Sequence, residues 1–388
     1  MRPHRSIPLL LACGAGLLVI VLVFVQSGPP ATPTGENTGP ARTDVAFASD
    51  TRAAIASALS SAGSTAVPSD SGAPGSAARP APTSPAVRTT ATPVRTVTPI
   101  VTVAPPTPTR APPTPTAVGG SCTIFPRSNV WNVDISGLPV ASNSAAMVNA
   151  IGLNDYLHPD FDAIGDGIPY NVVSSSTPRS DVTFEYADES DPGPYPIPAN
   201  PRVEKGSDRH MLMIDTGTCR LWELYAVRKS GSRWSAGSGA TWDLRSNALR
   251  PAGWTSADAA GLPILPGLVL YNEVESGVIR HAIRFTAPDT CGYMYPARHQ
   301  TADPCSNLPP MGLRVRLKAS VDISSFGPQA QVVLTALKRY GMILADNGAP
   351  WYITGEPDTR WNDDELHHLQ DLTGADFEVV NTSSLRNG

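Results

Sequence analysis

The sequence predicts a mainly β domain over residues 119–388, a jelly-roll-like β-sandwich with a few peripheral α-helices. Apolar and polar residues alternate with a period of two over several short segments, as they do in half-buried strands. Two such segments, 210–215 and 219–227, are separated by the turn residues 216–218 and predict a hairpin. Helical patterns are few and do not alternate regularly with the strands, which argues against a doubly wound parallel sheet.

The same periodicities place the remaining elements. The predicted strands cover residues 181–186, 278–286, 313–317 and 376–380. The predicted helices cover residues 144–151, 329–340 and 363–372. We expect two packed antiparallel sheets with these helices on the outside.

The N-terminal part of the chain has a different composition. The apolar run 7–25 follows a basic N-terminus and predicts a signal-anchor or a cleaved signal peptide over residues 1–26, with lipoprotein processing at Cys13 as a further alternative. Residues 27–118 hold 17 of the 40 prolines and no Lys, so we expect a disordered linker rich in Pro, Thr, Ala and Ser. These features predict an extracytoplasmic protein, membrane-anchored by its N-terminus or secreted.

Charge and missing motifs limit the function classes. Residues 119–388 hold 21 of the 29 Lys and Arg residues but 30 of the 34 Asp and Glu residues. Since general nucleic-acid binding needs a basic face, we expect no nucleic-acid partner. The sequence contains no dinucleotide fingerprint, phosphate-binding loop, zinc-protease helix or esterase elbow. We therefore expect no cofactor, with calcium as the one alternative.

The four cysteines of residues 119–388 predict disulfides, since the number is even and the chain carries an export signal. Three pairings are possible. We favour Cys291–Cys305, which brackets a polar loop, together with Cys122–Cys219. A zinc site is the alternative, but the close spacing typical of zinc ligands is absent.

The densest acidic run is FEYADESDPGPYPIP at residues 184–198. Asp188, Glu189 and Asp191 follow a predicted strand and enter a proline-stiffened loop, a common place for functional residues. Crowded carboxylates raise one another's pKa, which suits a general acid, or they bind a cation. These three residues are candidate catalytic groups. The alternative is a solvated acidic turn.

The predicted hairpin supplies three more candidate catalytic residues. His210 shares a strand face with apolar neighbours, where a histidine is either a catalyst or a hydrogen-bonded core residue. Glu223 and Tyr225 lie on one face of the second strand. A carboxylate among apolar neighbours needs a partner, so Glu223 is either an active-site acid or half of a buried pair.

A metal-binding loop is a further candidate upstream. Asp160, Asp162 and Asp166 precede a glycine in a composition that resembles a calcium loop. The spacing differs from that of an EF-hand, and the bidentate glutamate is absent. The alternative is an ordinary turn, in which Asp and Gly are common residues.

A local basic stripe is predicted on this acidic domain. Its members are Arg280, Arg284, Arg314, Arg316 and Lys318. If their strands are neighbours, the guanidinium groups of this stripe bind carboxylated or phosphorylated sugars bidentately. Trp254 is a candidate stacking platform for a sugar ring, with core packing as its alternative. For the arginines, the alternative is a solvated sheet face.

Two long motifs carry a family resemblance. ADESDPGPYPIP at residues 187–198 and LRPAGWTSADAAGLP at residues 249–263 resemble segments of a group of uncharacterised secreted microbial proteins. The likeness covers most of residues 122–380 and includes ALKRYGMILADNG at residues 336–348. The resemblance implies no activity and no catalytic residue.

These observations predict an exported carbohydrate-active enzyme that acts on an extracellular polysaccharide. A glycoside hydrolase would use two carboxylates, from the acidic loop and Glu223. A polysaccharide lyase would use His210 or Tyr225 as its base, with arginine neutralising the uronate. The alternative is a non-catalytic cell-surface module that binds glycan or envelope polymer and is displayed on a stalk. A protease or esterase is a third hypothesis, and no serine stands out as its nucleophile.

Overall fold

A computed structural model describes residues 122–387, so the predicted N-terminal segment and the linker lie outside the described residues. The strands are β1 His158–Asp160, β2 Tyr170–Val173, β3 Arg179–Ser180, β4 Val182–Phe184, β5 Tyr195–Pro196, β6 Met211–Asp215, β7 Arg220–Tyr225, β8 Arg228–Ser230, β9 Arg233–Ala236, β10 Ser238–Asp243, β11 Ile283–Ala287, β12 Arg314–Leu317, β13 Met342–Asn347, β14 Tyr352–Thr354 and β15 Phe377–Val379. The α-helices are α1 Ser144–Gly152, α2 Tyr271–Glu275, α3 Pro328–Arg339 and α4 Asp363–His367. Within residues 122–387, no helix is long and apolar enough to cross a membrane.

Two main sheets organise the chain. The larger has the strand order β1-β14-β11-β13-β12-β15, and the smaller has the order β10-β7-β6-β2. Smaller sheets, β4-β9-β8 and β3-β5, complete the strand pairings. The prediction of a mainly β fold with few helices is confirmed.

The expectation of wholly antiparallel sheets was wrong, because both main sheets are mixed. Four strand pairs are parallel: β1 with β14, β11 with β13, β2 with β6, and β4 with β9. Parallel neighbours require a crossover connection. Between β11 and β13, that connection carries β12 and α3, so the pairing joins strands that are distant in the sequence.

The predicted hairpin is confirmed as β6 and β7, which pair antiparallel. Its turn is fixed by Asp215, whose Oδ1 accepts hydrogen bonds from the backbone N–H groups of Gly217 and Thr218 at 2.9 and 3.1 Å. Such Asx turns stabilise a tight reversal of the chain.

Both faces of this hairpin are buried. Leu212 and Ile214 on one face join the main hydrophobic core, while Met211 and Met213 on the other join a second, smaller core. A strand that is covered on both faces carries a nearly continuous apolar sequence. The hairpin therefore lies between two cores, and its ends reach the rim of the domain.

The helices lie at the periphery of the larger sheet. Helix α1 packs against β15, and the Oγ of Ser144 accepts a 2.8 Å hydrogen bond from the N–H of Val379. Helix α3 lies against β12 and buries Val333, Leu334 and Leu337, which follow the helical spacing of an apolar face. The predictions of these two helices are confirmed. The predicted helix 363–372 is confirmed in its first part, as α4.

Both predicted disulfides are present. Cys122–Cys219 joins the beginning of the described chain to the β6–β7 turn, and Cys291–Cys305 closes a loop after β11. Structural disulfides are typical of oxidising compartments, so these bonds indicate an extracytoplasmic environment.

Candidate functional site

A cleft of about 540 Å³ opens where the ends of strands from the two main sheets meet. The smaller sheet contributes Tyr225 at the end of β7 and Ser238 at the start of β10. The larger sheet contributes Asp346 and Asn347 from the end of β13. Loops complete the wall. A concave site of this size with converging polar groups is the default candidate for a binding or active site.

Glu189 lies in the wall formed by the acidic loop, at the end of the 3-10 turn Ala187–Glu189. Its Oε2 accepts a 2.9 Å hydrogen bond from the backbone N–H of Thr255. The same oxygen lies 3.7 Å from Nε2 of His299. The carboxylate is therefore held by a backbone donor while 36% of its side chain stays exposed to the cleft.

Arg250 stabilises the acidic loop that forms this wall. Its buried guanidinium forms an ion pair with Asp191 and donates to the carbonyls of Glu189 and Thr255 at 2.8 and 2.7 Å. Asp191 also accepts a 2.8 Å hydrogen bond from the N–H of Thr241 in β10. The two long motifs therefore meet at the cleft, and Asp191 holds them together instead of facing a ligand.

Two other predicted residues lie beside this wall without lining the cleft. Asp188 is exposed on the same turn as Glu189. Trp254 is half-buried, and the guanidinium carbon of Arg250 lies 5.5 Å from its ring centroid. This indole therefore packs on an arginine, a cation–π contact.

Asp346 lies at the base of the cleft, with 22% of its side chain exposed. Behind it, Arg284 binds the fully buried Asp258 bidentately, at 2.9 and 2.7 Å. Arg284 lies farther from Asp346, with 3.8 Å between Nη2 and Oδ2. Asp346 Oδ1 accepts a 2.8 Å hydrogen bond from the N–H of Asn347.

This arrangement raises the pKa of Asp346. Burial, followed by the neighbouring carboxylate of Asp258, raises the pKa of Asp346 to about 8. Arg284 and His210 act in the opposite direction without offsetting the rise. Arg284 is already committed to Asp258, and a hydrogen bond with Asp258 also raises the pKa of Asp346, so the protonated form of Asp346 is favoured over its carboxylate.

The disulfide-closed loop supplies the third wall. Nδ1 of His299 lies 2.7 Å from the carbonyl oxygen of Ala259. A carbonyl only accepts, so Nδ1 carries a proton, and Nε2 of the same ring faces Glu189. The Oγ1 of Thr301 donates to Oδ1 of Asn347 at 2.8 Å, which fastens this loop to the end of β13.

His210 does not reach the cleft. It is buried, with Nδ1 2.6 Å from Oε2 of Glu204 and Nε2 3.0 Å from the carbonyl oxygen of Ala257. Burial lowers the pKa of His210, but the Glu204 carboxylate outweighs burial, so the net shift is upward. Both ring nitrogens are occupied, and the prediction of a catalytic His210 was wrong for that reason.

Glu223 is also sequestered. It is fully buried, and its carboxyl oxygens accept hydrogen bonds of 2.9 to 3.0 Å from the N–H groups of Ile264 and Leu265. Burial raises the pKa of Glu223 to about 7, although these hydrogen bonds oppose the rise. Glu223 fixes a loop against β7, and its predicted catalytic role was wrong.

The predicted basic stripe was wrong as well. Arg284 and Arg314 are buried, and Arg314 donates to two backbone carbonyls inside the domain. Arg316 binds Glu378 at 2.8 Å, and Arg280 is half-buried. Strand β13 separates β11 from β12, and both faces of these strands are covered, so no open basic face forms along them.

The predicted calcium loop is closed by its own backbone. Oδ1 of Asp162 accepts hydrogen bonds from the N–H groups of Ile164, Gly165 and Asp166 at 2.7 to 2.9 Å. Throughout residues 122–387, no group of three or more His, Cys, Asp or Glu side chains is arranged to hold a metal ion. The prediction that Asp160, Asp162 and Asp166 form a metal site was therefore wrong.

The cleft also contains residues that the sequence patterns did not single out, chiefly Asp346, His299 and Asp208. The sequence did give one indication for Asp346, because this residue ends an apolar run within residues 336–348 and precedes Asn-Gly. His299 and Asp208 lie in loops without any such pattern.

Comparisons with models of known families, with curated proteins and with solved structures found no match for this chain.

Proposed function

We propose that the protein is an exported carbohydrate-active enzyme, a glycoside hydrolase that cleaves an extracellular polysaccharide in this cleft. One observation carries the proposal: two carboxyl groups, Asp346 and Glu189, line the same cleft, and burial raises the pKa of Asp346. Glycosidases use such a pair, one carboxylic acid and one carboxylate, with their environments setting the two roles.

The surroundings assign these roles. Asp346 is the general acid, which donates its proton to the oxygen of the leaving sugar. Glu189, held by the N–H of Thr255 and open to the cleft, is the carboxylate that attacks the sugar or activates water. His299 lies beside Glu189, with 3.7 Å between Nε2 and Oε2 of the carboxylate.

Hydrolysis is favoured over the lyase reaction. A lyase acting on uronates needs a cation to neutralise the substrate carboxylate. Among the described residues that line the cleft there is no Lys or Arg. His210, one of the two bases considered for a lyase, is buried and fully hydrogen-bonded. The other base, Tyr225, has a pKa raised by burial and by nearby carboxylates, which opposes its ionisation.

We propose that the domain lies outside the cytoplasm. Its two disulfides support an oxidising environment. The apolar run 7–25 and the proline-rich residues 27–118 support export, with the domain attached to the membrane through an N-terminal anchor or released.

The alternative function is glycan binding without turnover, and a specific feature of the cleft favours it. Tyr186, with 48% of its surface exposed, and Tyr225 both line the cleft. Tyrosine rings combine an apolar face with a polar tip, which suits a sugar ring. Such a module would use the same cleft and leave the polymer intact.

The test is an activity screen of the purified, oxidised full-length protein. It is incubated with neutral, acidic and amino-group-bearing polysaccharides, and both new reducing ends and the absorbance of unsaturated uronates are followed. New reducing ends without unsaturated products support hydrolysis. Both signals together would establish a lyase and contradict the proposal. Silence across the panel, with retention on one polymer in affinity gels, would establish the binding module instead.

A further inference from the structure

Three residues form one end of the cleft: Tyr186, Tyr225 and Asp208. Their backbones are tied together. The N–H of Tyr186 donates to the carbonyl of Gly237 at 2.9 Å, and the N–H of Gly237 donates to the carbonyl of Tyr225 at 2.7 Å. The N–H of Ala226 in turn donates to the carbonyl of Asp208 at 2.7 Å. Two aromatic residues and one carboxylate are therefore held side by side by the scaffold.

The tyrosine ring at the centre of this group is also fixed. A Cβ built on Gly237 would lie 2.7 Å from Cδ1 of Tyr225, so the ring packs directly on this glycine. Its centroid lies 5.7 Å from that of the buried His210 ring. One side of Tyr225 is therefore packed against the domain while the residue lines the cleft.

The carboxylate of Asp208 has no cationic partner within residues 122–387. Its one side-chain hydrogen bond there comes from the Oγ of Ser207 at 3.3 Å. The adjacent Arg209 turns away, because its Nε donates to the carbonyl of Val227 at 2.8 Å. Asp208 is exposed, and after burial its carboxylate is the next largest cause of the raised pKa of Tyr225.

The cleft wall is also rich in acceptors. Glu189 and Asp208 offer carboxylate oxygens, and Asn347 and Gln300 offer side-chain amide oxygens. The described lining residues include no Lys or Arg. A metal ion does not fit these acids, since no group in the described part of the chain is arranged to hold one. The complementary ligand is a cation that donates hydrogen bonds and needs no fixed coordination shell.

We propose that Asp208, Tyr186 and Tyr225 bind the ammonium group of an amino sugar, so that the polymer held in the cleft contains sugars with free amino groups. An ammonium has three donors and no acceptor, which matches this wall. It also gains from the face of a tyrosine ring beside a carboxylate. This inference rests on the proposed function for its claim that the ligand is a substrate.

Two consequences follow from the chemistry of this subsite. Acetylation of the amine removes its positive charge and adds bulk, so the acetylated sugar loses both contributions. A uronate brings a negative charge toward Asp208 and Glu189 and is repelled. The subsite therefore ranks amino glycans above neutral glycans, and neutral glycans above uronates.

The test is binding calorimetry of the full-length, oxidised protein at mildly acidic pH. The probes are glucosamine oligomers, N-acetylglucosamine oligomers of equal length, oligogalacturonate and polylysine. Wild-type protein is expected to bind the amino oligomer about tenfold more tightly than the acetylated one. Asp208→Asn is expected to remove this preference. Asp181→Asn, which makes the same charge change on an exposed residue outside the cleft lining, is expected to keep it.

A second pair of variants tests the aromatic contribution. Tyr225→Phe keeps the ring and is expected to retain the preference, whereas Tyr225→Leu is expected to reduce it. Equal binding of amino and acetylated oligomers by the wild type would overturn the inference, as would polylysine binding as tight as that of the amino oligomer. Hydrolysis of neutral glycans without amino preference would overturn it while the proposed function stands. Amino preference without hydrolysis would support it while the proposed function fails.

Discussion

The backbone N–H of Thr255 donates a 2.9 Å hydrogen bond to Oε2 of Glu189, across 66 residues of sequence. This bond joins the two long motifs at the wall of the cleft. Arg250 reinforces the same junction through Asp191 and the carbonyl of Glu189. The side chain proposed to act on the sugar is therefore positioned by backbone groups of a second loop, and by one buried arginine.

Loss of the Glu189 carboxylate is expected to abolish most of the activity. Glu189→Gln keeps the shape of the side chain and its acceptor for Thr255 but removes the negative charge. Because general acid and base groups typically contribute factors of about 100 to 10,000, we expect kcat to fall within that range. The measurement is the rate of reducing-end release on the polysaccharide identified in the screen.

Asp188→Asn is the matched control for this variant. Asp188 lies on the same turn and is exposed, but it does not line the cleft. We expect its activity to stay within about twofold of the wild type, a negligible free-energy difference. Equal losses in both variants would show that the turn, and not the Glu189 carboxylate, is what matters.

Arg250 is expected to be a stability determinant of the cleft wall. Arg250→Met removes a buried guanidinium, so Asp191 loses its cationic partner and the carbonyls of Glu189 and Thr255 lose that donor. Breaking such a pair costs about 3 kcal/mol of unfolding free energy. Arg245→Met is the control, because Arg245 pairs with Asp243 on the surface and such pairs contribute under about 1 kcal/mol. Urea denaturation of both variants gives the comparison, and equal stabilities would contradict it.

Glu223 is expected to make stability depend on pH. Burial raises its pKa from an ordinary value of 4.5 to about 7 in the folded protein. The stability that the neutral carboxyl provides is fully present below about pH 4.5 and is lost as pH rises through 7. By linkage, this loss amounts to roughly 3 kcal/mol by pH 8.

Glu223→Gln is the variant that isolates this effect, because glutamine cannot ionise. Between pH 4.5 and pH 8, the unfolding free energy of this variant is expected to fall by roughly 3 kcal/mol less than that of the wild type. His210 also has a raised pKa and loses stability with rising pH, but it does so in both proteins. Parallel pH profiles of the two proteins would rule out a titrating Glu223.

Local patterns of the sequence were sufficient for much of the fold. The β6–β7 hairpin and helices α1 and α3 follow from periodicity and turn residues, because short-range interactions determine them. Strand β13 was not predicted from these local patterns. Its apolar run resembles any buried segment, and its parallel pairing with β11 depends on contacts that are distant in sequence. The same limit explains why antiparallel sheets were expected.

The candidate site was predictable only in part. Glu189 and Tyr225 were identified from their loop and strand positions, and both line the cleft. His210 and Glu223 were misassigned because alternation predicts a shared face but does not predict that both faces of the hairpin are covered. Asp346 was missed because its raised pKa depends first on burial and then on the nearby Asp258, which is distant in the sequence.

The most direct test of the proposed mechanism is the pH dependence of the hydrolysis rate, measured for the wild type and for Asp346→Asn. A general acid must carry its proton, so the wild-type rate is expected to fall as pH rises through about 8. Asp346→Asn is expected to lose at least about 100-fold in rate and to lose this alkaline decline. A variant with the wild-type rate and the same pH profile would contradict the assignment of Asp346 as the acid.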